Sequence, residues 1–221
     1  MSDYLTVMYS EKLRPYTTYP QKLTQYLYET FNLKPGMKLL EPGPGRGEIL
    51  NNFKNLGLDV CGVDISEYSS NYMPDIQIKV EDIDKNGLPY DDNTFDIVYS
   101  KSFLEHLIEP EEFIKEAYRV LKPGGLFLSL VPDWDTQYIT FYDDYTHKSP
   151  FSKISLSTVY KVNGFESVDV FKLRELPIVW KYPFLNYFCD MIAPFTPIRS
   201  KIKIFKWSRR LMLVATGRKV I

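Results

Sequence analysis

The chain has 221 residues, 27 Lys and Arg against 28 Asp and Glu, a formal net charge of −1, and 44% apolar residues. That suits one decorated globular domain with an ordinary core. Its two cysteines, Cys61 and Cys189, lie far apart without metal-ligand spacing, so a disulfide framework is not indicated.

Met1-Ser2-Asp3-Tyr4 carries an acid and no apolar core follows, so no signal peptide is read and a cytoplasmic location is expected. Residues 1–36 precede the first expected strand and are rich in tyrosine: Tyr9, Tyr16, Tyr19, Tyr26 and Tyr28. A helix is expected near 20–32. Strands are expected near 37–41, 59–64, 76–80, 94–100, 125–131, 165–174 and 209–216, with further helices near 45–56, 111–121 and 155–163. This alternation argues for an α/β fold with a mostly parallel sheet covered on both faces. Pro110 with Glu111 and Glu112 opens a helix well, since proline tolerates the first turn and acids suit the positive dipole end. Lys122-Pro123-Gly124-Gly125 reads as a helix stop.

Residues 175–208 are long for a connection between two strands and rich in large apolar groups. Pro177, Pro183, Pro194 and Pro197 interrupt the segment, and Lys181 and Asp190 would be costly in lipid, so it does not read as a membrane span. Three readings stand: a substrate-specificity lid, a dimer surface, or a face resting on a membrane, with lid or dimer preferred. From Met191 to Ile221 there is no acid but eight basic residues, Arg199, Lys201, Lys203, Lys206, Arg209, Arg210, Arg218 and Lys219. Such asymmetry suggests a basic face toward an anionic partner.

The stretch from Leu39 to Leu50 passes from an apolar run through alternating Gly43, Gly45 and Gly47 into a helix-like pattern. A glycine turn leading into a helix start offers free N–H groups to a nucleotide-like ligand. The spacing fits neither G-x-G-x-x-G nor the phosphate-binding G-x-x-x-x-G-K-[ST]. A second apolar run ends on Asp64, placed to accept ribose hydroxyls, although a helix-capping acid would look the same.

Glu41, Gly43, Gly45 and Gly47 fill every fixed position of E/D-x-G-x-G-x-G, which resembles class I S-adenosylmethionine (SAM)-dependent methyltransferases. The blocks Leu88-Pro89-Tyr90, Phe95-Asp96-Ile97-Val98, Leu104-Glu105-His106 and Lys122-Pro123-Gly124-Gly125 follow in the family's order, and the likeness is greatest to its type 11 branch. The resemblance covers roughly residues 35–175. It implies a Rossmann-like seven-stranded sheet of order 3-2-1-4-5-7-6 with the seventh strand antiparallel, and a single methyltransferase domain over 1–221. Within it, 1–36 would be a helical lid and 175–208 an aromatic and basic insertion. It implies SAM as cofactor, giving S-adenosylhomocysteine. Glu41, Gly43, Gly45, Gly47, Asp64, Ile65, Asp82, Ile83, Ser100 and Phe103 would hold it, with Asp82 receiving the adenine amino group. Tyr16 and Tyr19 on the lid, His106 and Asp133 are candidate substrate contacts, although each tyrosine could equally pack the lid onto the sheet.

A hydroxyl nucleophile needs its proton removed, and the chain has two histidines. His147 lies between the fifth strand and the next helix, at the ligand-binding end of such sheets, and is the preferred base. Asp143 or Asp144 is its expected orienting partner, and a purely structural role for His147 weighs equally. Asp133, Asp143 and Asp144 could in principle ligate an ion, but a solvated loop explains them better and no required metal is expected. The leading function is methyl transfer to a small molecule or glycan, chiefly O-methylation of a sugar, including nucleotide- or lipid-linked ones. The runner-up is methylation of a lipid or isoprenoid quinone, with peripheral membrane or lipid-linked contact through 175–210. A non-catalytic SAM-binding protein is a third possibility. Nucleic acid is not expected as substrate, because Ser100-Lys101-Ser102-Phe103 stands where amino-methylating enzymes carry Asn/Asp-Pro-Pro-Phe/Tyr. Monomer and homodimer remain open.

Overall fold

The computed structural model describes residues 11, 13–200 and 202–220. The expected lid over 1–36 therefore falls partly, and Tyr9 wholly, outside the described residues. The strands are β1 (Lys38–Pro42), β2 (Asp59–Asp64), β3 (Gln77–Val80), β4 (Phe95–Lys101), β5 (Leu121–Pro132), β6 (Glu166–Arg174) and β7 (Leu211–Arg218). Among the described residues they form one seven-stranded sheet of order β3-β2-β1-β4-β5-β7-β6. β1 to β5 pair in parallel, and β7 runs antiparallel to both β5 and β6.

The longer helices are α1 (Tyr19–Thr30), α2 (Glu48–Asn55), α3 (Pro110–Val120), α4 (Lys153–Val162), α5 (Pro177–Lys181), α6 (Leu185–Ile192) and α7 (Lys203–Arg209). Strand residues alternate between two cores, one on each face of the sheet. Ile97 and Tyr99 of β4 join Leu23, Leu27, Leu50 and Phe53 from α1 and α2. Val98 between them joins Phe113, Ala117, Leu156 and Tyr160 from α3 and α4. Burial on both faces is why β4 and β5 read as continuous apolar runs. Each such side chain removed from water stabilises the fold by roughly 1.5–3 kcal/mol before entropy is counted. Tyr160 satisfies its buried hydroxyl on Ser129 Oγ at 2.7 Å.

Three expectations need correction. α2 begins at Glu48 rather than residue 45, because Gly47 sits at φ +68° and cannot lie inside a right-handed helix. β5 begins at Leu121, which already pairs with Phe95 ahead of a bulge. The 175–208 segment is not an open loop. It folds into α5, α6 and α7, and Arg174 of β6 fastens them. Its guanidinium donates to Ser208 O at 2.9 Å and Asn186 Oδ1 at 2.6 Å, and pairs with Asp190 at 2.5 Å. α1 packs across to this insertion, with Tyr26 stacked on Trp180 at 4.9 Å between ring centroids.

Candidate cofactor and acceptor sites

The glycine turn leaves β1 with Gly43 at φ +62° and closes on Gly47, whose N–H bonds Pro44 O at 2.8 Å. A side chain is excluded at both ends. A Cβ on Gly43 would lie 2.6 Å from Phe103, and one on Gly47 would lie 1.9 Å from Met73 Sδ. The left-handed backbone and the lack of space act together, so glycine is required twice over. Asp64, at the end of β2, accepts the Gly45 N–H at 3.0 Å and the Ser66 N–H at 2.9 Å. Each carboxylate oxygen retains a second lone-pair direction for a ribose hydroxyl.

Glu41 is buried, and burial pushes its carboxyl up to about 8 despite the opposing pull of Lys101. Its Oε2 has no hydrogen-bond partner. An orphaned carboxylate beside a glycine cradle fits a cationic, hydroxyl-bearing nucleotide such as SAM. Ile65 is exposed next to Asp64. Asp82 opens the short helix Ile83–Asn86 and pairs with Lys85 at 2.7 Å, and Ile83 is buried under it. Ser100 is buried with an unpartnered hydroxyl, and Phe103 closes over Gly43. The ten residues expected at the cofactor thus gather along the carboxyl ends of β1 to β4, where open α/β sheets bind ligands.

Tyr16 and Tyr19 meet this region. Tyr16 lies over the Arg46 guanidinium at 4.3 Å, and Arg46 donates to Arg14 O at 2.7 Å. Tyr19 donates its hydroxyl to Glu175 at 2.7 Å, and Lys101 pairs with the same carboxylate at 3.1 Å. Burial, reinforced by Glu175, raises the Tyr19 phenol far above its ordinary range. Tyr19 therefore ties the segment before β1 to Glu175 at the end of β6, while Tyr16 stays half-exposed over the glycine turn.

A second cleft of about 280 Å³ opens beyond β5, lined by Arg14, Phe141, Asp144, Tyr145, His147 and Arg210 among others. His147 and His106 meet there edge-on, 4.8 Å between ring centroids. The backbone enforces this meeting: the Glu105 carbonyl accepts Lys148 N–H at 2.7 Å and Ser149 N–H at 3.1 Å. His147 Nδ1 lies 2.7 Å from Phe141 O, and since a carbonyl only accepts, that nitrogen carries the proton. Thr146 donates its hydroxyl to Asp144 at 2.6 Å and therefore accepts from His106 Nδ1 at 2.9 Å. Both rings thus keep Nε2 as the lone-pair nitrogen. Burial, with His147 beside it, pulls His106 down to about 4. Burial opposes ionisation of Asp144, but the Thr146 bonds hold it below the ordinary carboxylate range. Glu105 is fully buried, and burial pushes it up to about 8.

Several expected roles change here. Asp144 orients His106 through Thr146, whereas the Phe141 carbonyl holds His147. Asp143 turns outward to Arg199 at 2.8 Å. Asp133 is wholly buried and paired with Lys172 at 2.9 Å, so it is closed to substrate, and the three aspartates do not converge on an ion. Sequence reasoning missed Glu105 and Arg14 and read Arg210 only as part of a general basic segment; only the neighbourhood of His106 in the chain pointed toward Glu105. A larger open hollow of about 790 Å³ lies between Lys38, Asp59 and Lys79, at the amino ends of β1 to β3 and away from the glycine turn.

Residues 40–129 match the family described as "Methyltransferase domain". Among curated proteins, the chain is 32% identical over 116 residues to phosphoethanolamine N-methyltransferase 3 of Arabidopsis thaliana, covering 48% of the chain and 23% of that protein. It is 29% identical over 177 residues to 2-methyl-6-phytyl-1,4-hydroquinone methyltransferase of Synechocystis, covering 72% of the chain and 54% of that protein. The chain thus spans between about a quarter and about half the length of these relatives. Among solved structures, a SAM-dependent methyltransferase from Archaeoglobus fulgidus superposes with a TM-score of 0.68 at 22% identity, over 98% of this chain and 100% of that one. At that identity it attests the shared fold.

Proposed function

Residues 40–129 belong to the SAM-dependent methyltransferase-domain family, and from that premise we propose that the chain methylates a hydroxyl-bearing lipid or isoprenoid quinol that carries an anionic group. The observation that carries this reading is the cleft beyond β5. It joins a histidine to two guanidinium groups, Arg14 and Arg210, and Arg199 of the insertion grips its rim at Asp143. Guanidinium groups suit phosphate and other oxyanions.

Beyond that rim the insertion presents Phe184, Tyr187, Phe188, Met191 and Phe195 to solvent, with Phe195 87% exposed. Cys189 turns α6 inward on its other side. An exposed apolar face beside an acid-free basic segment fits an anionic lipid surface. No helix among the described residues is long and apolar enough to cross a membrane. Of the two curated relatives, one is named for a phosphate-bearing amine and one for a phytyl hydroquinone, so each name shares one feature, the anionic group or the prenylated quinol, with this acceptor.

The bound sulfonium supplies an electrophilic methyl carbon and a neutral leaving group. What the protein must do is align the acceptor and manage its proton. Gly43, Gly45 and Gly47 let the backbone approach the cofactor, Glu41 and Asp64 face its charge and hydroxyls, and Asp82, Ile65 and Ile83 flank the base. His147, held with Nε2 unprotonated, takes the acceptor's proton. A sugar acceptor is the second reading, favoured by the exposed ring of Tyr145 in the lining of the same cleft. Incubation of the protein with methyl-labelled SAM decides between them, using anionic vesicles containing a prenylated hydroquinone in one arm and nucleotide sugars in the other. Label in the lipid extract is expected. Label only in the sugar fraction would overturn the lipid assignment, and SAM binding with no transfer in either arm would leave a binding protein.

A further inference from the structure

We propose that Glu105, His106 and His147 form a binding site for a divalent transition-metal ion, with Zn2+ the best-fitting occupant. One carboxylate oxygen of Glu105 and one ring nitrogen from each histidine all lie within 4.8 Å of one another. Two imidazoles and a carboxylate are a donor set that suits Zn2+ and its first-row neighbours over Mg2+ or Ca2+. This site takes no ligand from the three aspartates weighed from sequence; Asp144 enters only behind His106, through Thr146.

Three further observations point to a cation. Glu105 is fully buried and neither carboxyl oxygen makes a hydrogen bond of good geometry, with only its own backbone, Lys101 and Ser102 near enough to favour the charged form, an arrangement that is costly unless a further partner such as a cation is brought to it. Both histidines are fixed from behind, His147 by the Phe141 carbonyl and His106 by Thr146, which is itself held by Asp144. A ring whose Nδ1–H is anchored to a carbonyl or to a carboxylate-held hydroxyl is the outer-shell arrangement found behind metal-bound histidines. Finally, the Glu105 carbonyl clamps the 148–149 backbone onto the 104–106 turn, so the two rings stay together without a ligand.

Ligand atoms around tetrahedral Zn2+ stand about 3.3 Å apart, given Zn–N bonds of about 2.0–2.1 Å. From a spread of at most 4.8 Å, the three groups would need to close by about 1.5 Å at their widest. Three protein ligands leave a fourth position open, and His147 lines the acceptor cleft. With an ion bound, His147 would be its ligand and no longer the base; the acceptor's hydroxyl oxygen would take the fourth position, where the ion lowers its pKa and its proton leaves to solvent. That last role rests on the methyl-transfer reading; ion binding does not.

The test is titration of the full chain with Zn2+ against a chromophoric chelator, with Co2+ absorption reporting coordination geometry and a SAM titration as the folding control. One equivalent bound with sub-micromolar affinity, and a tetrahedral Co2+ spectrum, are expected. Glu105→Gln and His147→Gln should each weaken Zn2+ at least 100-fold while SAM still binds. Absence of stoichiometric binding, or binding that both variants leave untouched, would overturn the site. Failure of methyl transfer with Zn2+ bound would count against the acceptor assignment alone.

Discussion

The carboxyl ends of β1 to β3 and the carboxyl ends of β4 to β6 face the same side of one sheet but are built from different material. The first is made mainly of backbone: a glycine turn, N–H groups and a carboxylate, Asp64, bonded to a residue only 19 positions earlier in the chain. The second is made of side chains brought from afar. Tyr19 reaches Glu175 across 156 positions, Thr146 reaches His106 across 40, and Arg199 reaches Asp143 across 56. A ligand shared by many relatives can be held by a local motif. An acceptor particular to one chain needs contacts that each tertiary arrangement makes anew.

If the two ends are separable in this way, substitutions should affect them separately. The largest effect is expected from Gly47→Ala, which forces a left-handed alanine against Met73. A combined cost of roughly 3 kcal/mol follows from the two penalties, so SAM affinity should fall on the order of 100-fold by calorimetry. An unaltered affinity would mean the turn is not the rigid element described. Arg174→Ala comes next. It deletes a buried guanidinium that ties α6 and α7 to β6, at about 2–3 kcal/mol. Limited proteolysis should then cut within 175–210 several-fold faster, with SAM affinity unmoved; a parallel loss of SAM binding would show that the two ends are coupled.

A third effect is a pH dependence. Glu41 titrates near 8 when folded against an ordinary value of 4.5, so the folded protein holds more protons than the unfolded chain between those limits. Its contribution to stability is present below about pH 4.5 and is lost as pH rises through about 8. The ligand-free melting temperature should decline by a few degrees over that window, and Glu41→Gln should flatten the slope. An unchanged slope in the variant would place the dependence elsewhere.

The same division explains what the sequence disclosed. Alternating glycines, the acid ending β2 and the apolar runs of β4 and β5 have local causes, so the sheet and the cofactor turn were legible in the chain. The order of the strands came from resemblance, not from periodicity. α5, α6 and α7 were missed because they are short, begin beside prolines or lack caps, and are held by Arg174 rather than by helix propensity. Asp133 was misjudged because nothing in Val131-Pro132-Asp133-Trp134 announces that Lys172 lies beneath it. The meeting of His106 with His147 depends on hydrogen bonds between two loops, and neither loop's sequence names the other.

Arg174 and Leu211 are register partners at adjacent ends of β6 and β7. The whole of 175–210 therefore leaves and re-enters the sheet at one rung, as an excursion from what would otherwise be a hairpin. Because the closure entropy of a loop grows only slowly with its length, such a rung tolerates excursions of very different size. The insertion can be exchanged as a cassette, with a foreign segment grafted or a tight turn substituted between those two residues, while the glycine turn keeps its geometry.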